Sequence, residues 1–357
     1  MMNYSESYWE ELRELAVSSD LSGMKGKSIV ITGGSGLIGS SVVDILAAAN
    51  RYQNANITIY LASLTEQELE QRFGTLYQEP FMKYVPYNAL NPVEFDFRAD
   101  FVIHAASNAH PAAYSAEPVE TLLANVSGIK ELLDYAKRVS AERVLYISSS
   151  EVYGRKEEIR PYEENDYGFV DILNPRACYP SGKRASETLC AAYYAEYGVE
   201  TVIVRPGHIY GPAVTATDSR ATAQFARDVL AGRDILMKSA GTQLRSYCYS
   251  LDCASAILTV LLKGKATEAY NISNRDSVVS IRQIAEAFAE ASGQNVIFSS
   301  ATDKEQKSFN MMDNSSLNAE KLEALGWYAR YSLQEGVKRT IDGMREQLVS
   351  GHKEETA

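Results

Sequence analysis

Tyr179 and Lys183 stand four residues apart, downstream of the run Ser148-Ser149-Ser150-Glu151-Val152-Tyr153-Gly154. On a helix, residues i and i+4 share a face, with Cβ atoms about 5–6 Å apart. An ammonium at that distance lowers the pKa of a phenol, and bringing a tyrosine from about 10 to near 7 takes about 4 kcal/mol. The resulting tyrosinate can accept the proton of an alcohol while a hydride leaves the same carbon. A Tyr-x-x-x-Lys spacing also arises by chance, so its meaning rests on the surrounding elements.

The first of these is a glycine-rich turn, Thr32-Gly33-Gly34-Ser35-Gly36-Leu37-Ile38-Gly39. It follows the apolar run Ser28–Thr32 and precedes a helical pattern over 36–50. Glycines in such a turn let the backbone approach a pyrophosphate, and the helix N-terminus adds free N–H groups and partial positive charge. Gly33, Ser35, Gly36, Leu37, Ile38 and Gly39 are therefore the expected cofactor cradle. An acidic residue at the end of the second strand normally binds the adenosine ribose of NAD. Here that strand ends Leu61-Ala62-Ser63, with neither a carboxylate nor a base for the 2′-phosphate of NADP. Ser63 can serve either cofactor. NAD is expected from the chemistry, with NADP left open. His104 ends another apolar strand and reads as structural, with the backbone of Ala105 and Ala106 beside the cofactor. His110, in the following loop, reads as bland.

Positioning these residues requires an α/β scaffold. Apolar runs at 28–32, 57–61, 83–87, 100–104, 143–147 and 201–204 alternate with helical patterns, including 118–138 and 177–197. Such alternation predicts a doubly wound parallel Rossmann sheet with a smaller C-terminal substrate-binding lobe. The expected division is a helical extension over 1–24, a cofactor domain over 25–206, a lobe over 207–345 and a tail over 346–357. A return strand near 269–272 is expected to rejoin the sheet. Residues 4–17 place Tyr4, Tyr8, Leu12 and Leu15 at helical spacing, a leader packed on the domain surface.

The chain has 357 residues, 45% hydrophobic and 23% charged, which is enough for a large core. A net charge of −11 argues against nucleic acid as partner. The 23 tyrosines lack interleaved basic residues and form no stacking platform for bases. The four cysteines have no Cys-x-x-Cys spacing and read as reduced, with no metal expected. No apolar stretch is long enough for a membrane span, and the acidic N-terminal segment is unlike a signal peptide. A cytoplasmic location, without membrane partners, is expected.

The glycine turn, the serine-rich fifth strand end, Tyr179-Pro180-Ser181-Gly182-Lys183 and Arg205-Pro206-Gly207-His208-Ile209-Tyr210-Gly211-Pro212 occur in one order. In this the chain, from Lys27 to Arg345, resembles the extended short-chain dehydrogenase/reductase family that modifies nucleotide sugars. Leu244-Arg245-Ser246-Tyr247-Cys248-Tyr249-Ser250-Leu251-Asp252 resembles its substrate-lobe segment. The resemblance implies transient oxidation of the sugar at C4 by a bound nicotinamide cofactor. It also implies a homodimer through a four-helix bundle, supplied here by 118–138 and 177–197. By resemblance Ser149 hydrogen-bonds the C4 oxygen, Tyr179 is the base, and Lys183 lowers its pKa and holds the nicotinamide ribose. Asn125 braces the active-site strands, while Tyr153 and Trp327 read as packing.

Residues 149–151 bear on the second step. Many 4,6-dehydratases carry Asp-Glu where this chain has Ser150-Glu151. The latter pair, with Asn174-Pro175-Arg176-Ala177-Cys178-Tyr179 and Gly182-Lys183-Arg184, resembles UDP-glucuronate decarboxylases, where Glu151 and Ser150 act on the ring after oxidation. A 4,6-dehydratase, a 4-epimerase and a non-catalytic cofactor-binding sensor are the alternatives. Arg245 and Arg220 are the expected substrate phosphate or nucleotide contacts. His208 is also placed at the diphosphate, where the family commonly has asparagine, and Gln224 replaces another asparagine.

Overall fold

The runs Ile29-Val30-Ile31, Val102-Ile103 and Val144-Leu145-Tyr146 are buried throughout, as strands covered on both faces require. The computed structural model describes residues 4–107, 109, 111–215, 217–300 and 312–354. His110 and the last three residues of the tail lie outside them. Strands β1 (Ser28–Thr32), β2 (Thr58–Ser63), β3 (Met82–Pro86), β4 (Phe101–His104), β5 (Arg143–Ile147) and β6 (Thr201–Pro206) form a parallel sheet. After β7 (His208–Tyr210), β8 (Ile235–Met237) and β9 (Leu244–Tyr249), strand β10 (Ala269–Ile272) returns to its edge. The strand order is β10-β6-β5-β4-β1-β2-β3, a doubly wound α/β sheet. The strand order reverses between the parallel strands β1 and β4, which opens a crevice at their carboxyl ends.

Alternate side chains sort into two cores. Ile29 and Ile31 pack toward α2 (Leu37–Gln53), and Val30 packs with Val102 toward the opposite face. Helix α3 (Glu66–Phe73) follows β2, and α4 (Pro111–Ala116) leads into α5 (Pro118–Val139). Helix α6 (Cys178–Tyr197) packs along α5, carrying Cys190 and Tyr193 into the second core. On the other face α8 (Ser250–Lys263) packs beside α2. Cys178, Cys190, Cys248 and Cys253 are all free thiols.

The lobe beyond β6 is built on β9, which pairs with β7, β11 (Val278–Ser280) and β13 (Asn314–Ser315), while β8 pairs with β12 (Val296–Phe298). Helices α7 (Ala221–Leu230), α9 (Ile281–Ser292) and the C-terminal helix Leu333–Glu354 cover it. Ser280 and Gln283 form a reciprocal capping box that fixes the start of α9. Among the described residues, no helix is long and apolar enough to cross a membrane.

Helix α1 (Glu6–Ser18) is more than a surface leader. Leu12 and Leu15 are fully buried, and the Tyr4 and Tyr8 hydroxyls donate to Asp44 of α2 at 2.5 and 2.8 Å. Arg72 completes the cluster, donating to Asp44 at 2.8 Å. From the same helix Glu11 pairs with Arg339 at 2.8 Å and Glu14 with Arg330 at 3.0 Å. The apolar spacing identified the helix, whereas the buried carboxylate that ties it down lies 36 residues from Tyr8.

Candidate active site

The glycine turn joins β1 to α2 at the mouth of the crevice. Gly33 has φ +66°, and a Cβ there would lie 2.8 Å from the Ala106 nitrogen. A Cβ on Gly39 would come within 2.3 Å of the Gly33 carbonyl oxygen, so both positions need glycine. Gly36 is the N-cap of α2, and no side chain caps that helix. The first-turn N–H groups, including those of Leu37 and Ile38, are thus presented to the crevice as an anion would require. This cradle fits a dinucleotide pyrophosphate.

Ala105 and Ala106 lie against the turn, but their N–H groups point inward to the Thr32 hydroxyl, each at 3.2 Å. Only their other backbone atoms remain for a cofactor. The Thr32 hydroxyl also shares a hydrogen bond with His104 Nδ1, 2.7 Å away. Burial, with Lys183 nearby, brings the His104 pKa down to about 3. Ser63 is buried at the end of β2, and its hydroxyl donates to Glu68 of α3 at 2.9 Å. A carboxylate thus stands beside the second strand after all, carried by a helix five residues on.

On the other side of the crevice, Ser149 caps a 3₁₀ turn, Ser150–Tyr153, accepting from the Glu151 N–H at 3.2 Å. Tyr179 and Lys183 lie in the first two turns of α6, both buried. Lys183 Nζ donates to the Ile147 carbonyl at 2.8 Å and lies 5.7 Å from the Tyr179 ring centroid. Burial pushes the Tyr179 hydroxyl up to about 12, with Glu151 adding to it and a Ser149 hydrogen bond and Arg220 opposing. Burial brings Lys183 down to about 7. Within the chain itself, burial dominates the phenol, and the groups that oppose it are Ser149 and Arg220 rather than the ammonium.

Glu151 forms a two-point pair with Arg176, at 3.1 and 3.2 Å. The same guanidinium donates to the Tyr114 hydroxyl at 3.3 Å, and the Tyr114 ring stacks on Tyr179 with centroids 5.3 Å apart. Tyr114 and Arg176 were not picked out as site residues from the sequence. Arg176 precedes Tyr179 by three positions, which is the one local signal; Tyr114 comes from α4 and had none.

The lobe contributes Arg245, His208 and Arg220. Arg245 is buried on β9 and donates to the Leu244 carbonyl at 2.8 Å. Half-buried His208 has its pKa brought down to about 3 by burial, then by Arg245 and Arg220. Both arginines thus act on it electrostatically, although Arg220 is also engaged by Asp218 at 3.0 Å. Gln224 turns away to Asp228. Asn125 accepts from Ser107 and donates to the Thr121 carbonyl, while its own carbonyl accepts from Ser186 of α6. Tyr153 is buried and donates to Asn271, and Trp327 donates to Ser255. Among the described residues, no three His, Cys, Asp or Glu side chains gather into a metal-binding group.

The family model for the NAD dependent epimerase/dehydratase family matches residues 29–273. UDP-glucuronic acid decarboxylase 1 of Xenopus tropicalis is 31% identical over 326 residues, covering 90% of this chain and 73% of that protein. UDP-glucuronic acid decarboxylase 3 of Arabidopsis thaliana is 30% identical over 324 residues, covering 90% of each. Among solved structures, dTDP-glucose 4,6-dehydratase from Streptomyces venezuelae, with NAD bound, superposes with a TM-score of 0.77 at 23% identity, covering 90% of this chain and 98% of that one. The epimerase Mth375 of Methanothermobacter thermautotrophicus gives 0.79 at 19% identity, covering 96% and 97%. These structural likenesses carry the fold, and the match over 29–273 carries the family. With its glycine cradle and buried Tyr179–Lys183 pair on one crevice, the chain belongs to the NAD dependent epimerase/dehydratase family.

Proposed function

We propose that this NAD-dependent nucleotide-sugar enzyme is a decarboxylase, with UDP-glucuronate as substrate. The observation that carries the reading is Glu151, set beside Tyr179 and paired with Arg176 where many dehydratases have two adjacent acids. The names of the relatives at 30 and 31% identity support it.

In this reading Ser149 orients the C4 hydroxyl and Tyr179 accepts its proton. Bound NAD supplies the acceptor for the C4 hydride, returns it at the end, and brings a positive charge into the crevice. Because burial holds Tyr179 near 12, the tyrosinate requires positive charge beside it, and Lys183 is the residue placed to share that task. Once C4 is a ketone, the C6 carboxylate is β to it. The C5–C6 bond breaks, its electron pair forms the C4–C5 enolate, and carbon dioxide leaves. A proton then adds at C5. Arg245 and His208 receive the diphosphate, with Arg220 at the nucleotide.

The active form is a homodimer through α5 and α6. Val119, Leu122 and Leu123 of α5 and Tyr194 of α6 are exposed on the monomer, an apolar face of the kind that a helical bundle covers.

The test is mass spectrometry of the nucleotide product after incubation with NAD and UDP-glucuronate. Loss of carbon dioxide is expected. An unchanged mass overturns the substrate assignment, and hexose nucleotides then separate water loss from epimerisation.

A further inference from the structure

Arg176 is an unusual neighbour for an acid meant to act on a sugar ring. It occupies both oxygens of Glu151, at 3.1 and 3.2 Å, in the fork geometry that guanidinium and carboxylate favour. Its position is fixed from two further directions. The Asn174 side chain accepts the Arg176 N–H at 3.0 Å, setting the 3₁₀ turn Pro175–Ala177. The Tyr114 hydroxyl accepts from the guanidinium at 3.3 Å, and the Tyr114 ring is stacked on the Tyr179 ring. The arginine is thus indexed to the base that opens the reaction. The pair is not core material: the side chains keep 31% and 21% of their surface exposed.

A sugar carrying a carboxylate at C6 would bring a second anion toward Glu151. Two unpaired carboxylates in a partly desolvated cleft repel each other, and a cation between them removes the conflict. Arg245, a further cation of the site, sits on β9 and gives one arm to the Leu244 carbonyl. We infer that Arg176, indexed by Tyr114, neutralises Glu151 so that the cleft admits a second carboxylate, and so sets the preference for acidic over neutral sugars. The inference rests on the decarboxylase reading above and makes Arg176 a specificity-determining residue.

The experiment is calorimetric binding of UDP-glucuronate and UDP-glucose to the NAD-loaded protein, in a Tyr179→Phe background that stops turnover and keeps the stacked ring. Arg176→Gln is expected to weaken UDP-glucuronate about tenfold or more and leave UDP-glucose within about twofold. Adding Glu151→Gln removes the stranded charge and should restore UDP-glucuronate to within about threefold of the parent, a coupling that two independent losses would not show. Arg176→Lys keeps the charge without the fork and should retain part of the preference. Equal weakening of both sugars means that Arg176 only holds the turn, and overturns the inference. A double variant that stays weak means that Arg176 grips the substrate carboxylate directly, and overturns it too. Failure of the underlying reading looks different: the parent protein would release no carbon dioxide before any Arg176 variant was made.

Discussion

Lys183 is held by the fold near the edge of its charged state. Its pKa lies at about 7, well below the ordinary lysine value, because the ammonium is buried. In the unfolded chain it stays protonated up to about pH 10. Between pH 7 and 10 the unfolded state therefore binds the extra proton, and this residue makes stability rise with pH. Below pH 7 the folded protein must keep a buried ammonium, and the penalty is complete. Lys183→Met should accordingly be more stable than the parent at pH 6 in the NAD-free protein, by roughly 3 °C or more in Tm. The gap should close toward pH 10, where the lost bond to the Ile147 carbonyl is all that remains; a gap independent of pH in thermal scans would contradict this. Tyr179, Lys183, Ser149 and Glu151 were legible in the sequence because helical spacing and a strand end place them locally. Arg176 and Tyr114 were not, since their common site is assembled from positions 62 residues apart. The Ser63–Glu68 bond was hidden for a related reason: the carboxylate was sought on the strand and stands on the next helix.

At the scale of elements, α1 and α2 show how an appendage becomes part of a site's support. Asp44 sits mid-helix on the element whose N-terminus forms the cofactor cradle, and it is fully buried with Tyr4, Tyr8 and Arg72 as its partners. Removing one hydroxyl leaves the carboxylate under-solvated. Tyr8→Phe should cost about 1.5–3 kcal/mol, the range for a hydrogen bond to a charged group, measured by denaturant unfolding. A loss below about 0.5 kcal/mol would show that Tyr4 and Arg72 hold Asp44 alone. The sheet strands and long helices were readable from alternation and length, within a few residues at their ends. In the lobe, helical patterns near 221–231, 252–263 and 281–292 and the return strand were readable. Its strands β8, β11, β12 and β13 have three residues or fewer, too short for a period of two to register.

For the whole molecule, the exposed apolar face of α5 is the feature that a monomer does not explain. Leu122 and Leu123 retain 37% and 49% of their surface, whereas Ile129, Leu132 and Leu133 further along α5 are buried. Leu123→Asp should shift the protein to monomer in sedimentation or light-scattering measurements without changing its circular dichroism. A dimer that persists would place the interface elsewhere. Sequence periodicity gave both helices, but it could not separate the apolar residues that the fold buries from those it leaves exposed.

The ion pair between Glu11 and Arg339 spans 328 positions, and Glu14 reaches Arg330 across 316. During synthesis α1 leaves the ribosome long before Arg330 and Arg339 exist, and ribosomes add only about 5–20 residues each second. For that interval, on the order of 15–60 s at such rates, the faces of Leu12 and Leu15 await part of their final environment. Docking of α1 against the C-terminal helix is thus a late event in the life of each new chain. An emerging chain truncated before position 330 lacks both closures and holds α1 only through Asp44, Arg72 and its packing on α2.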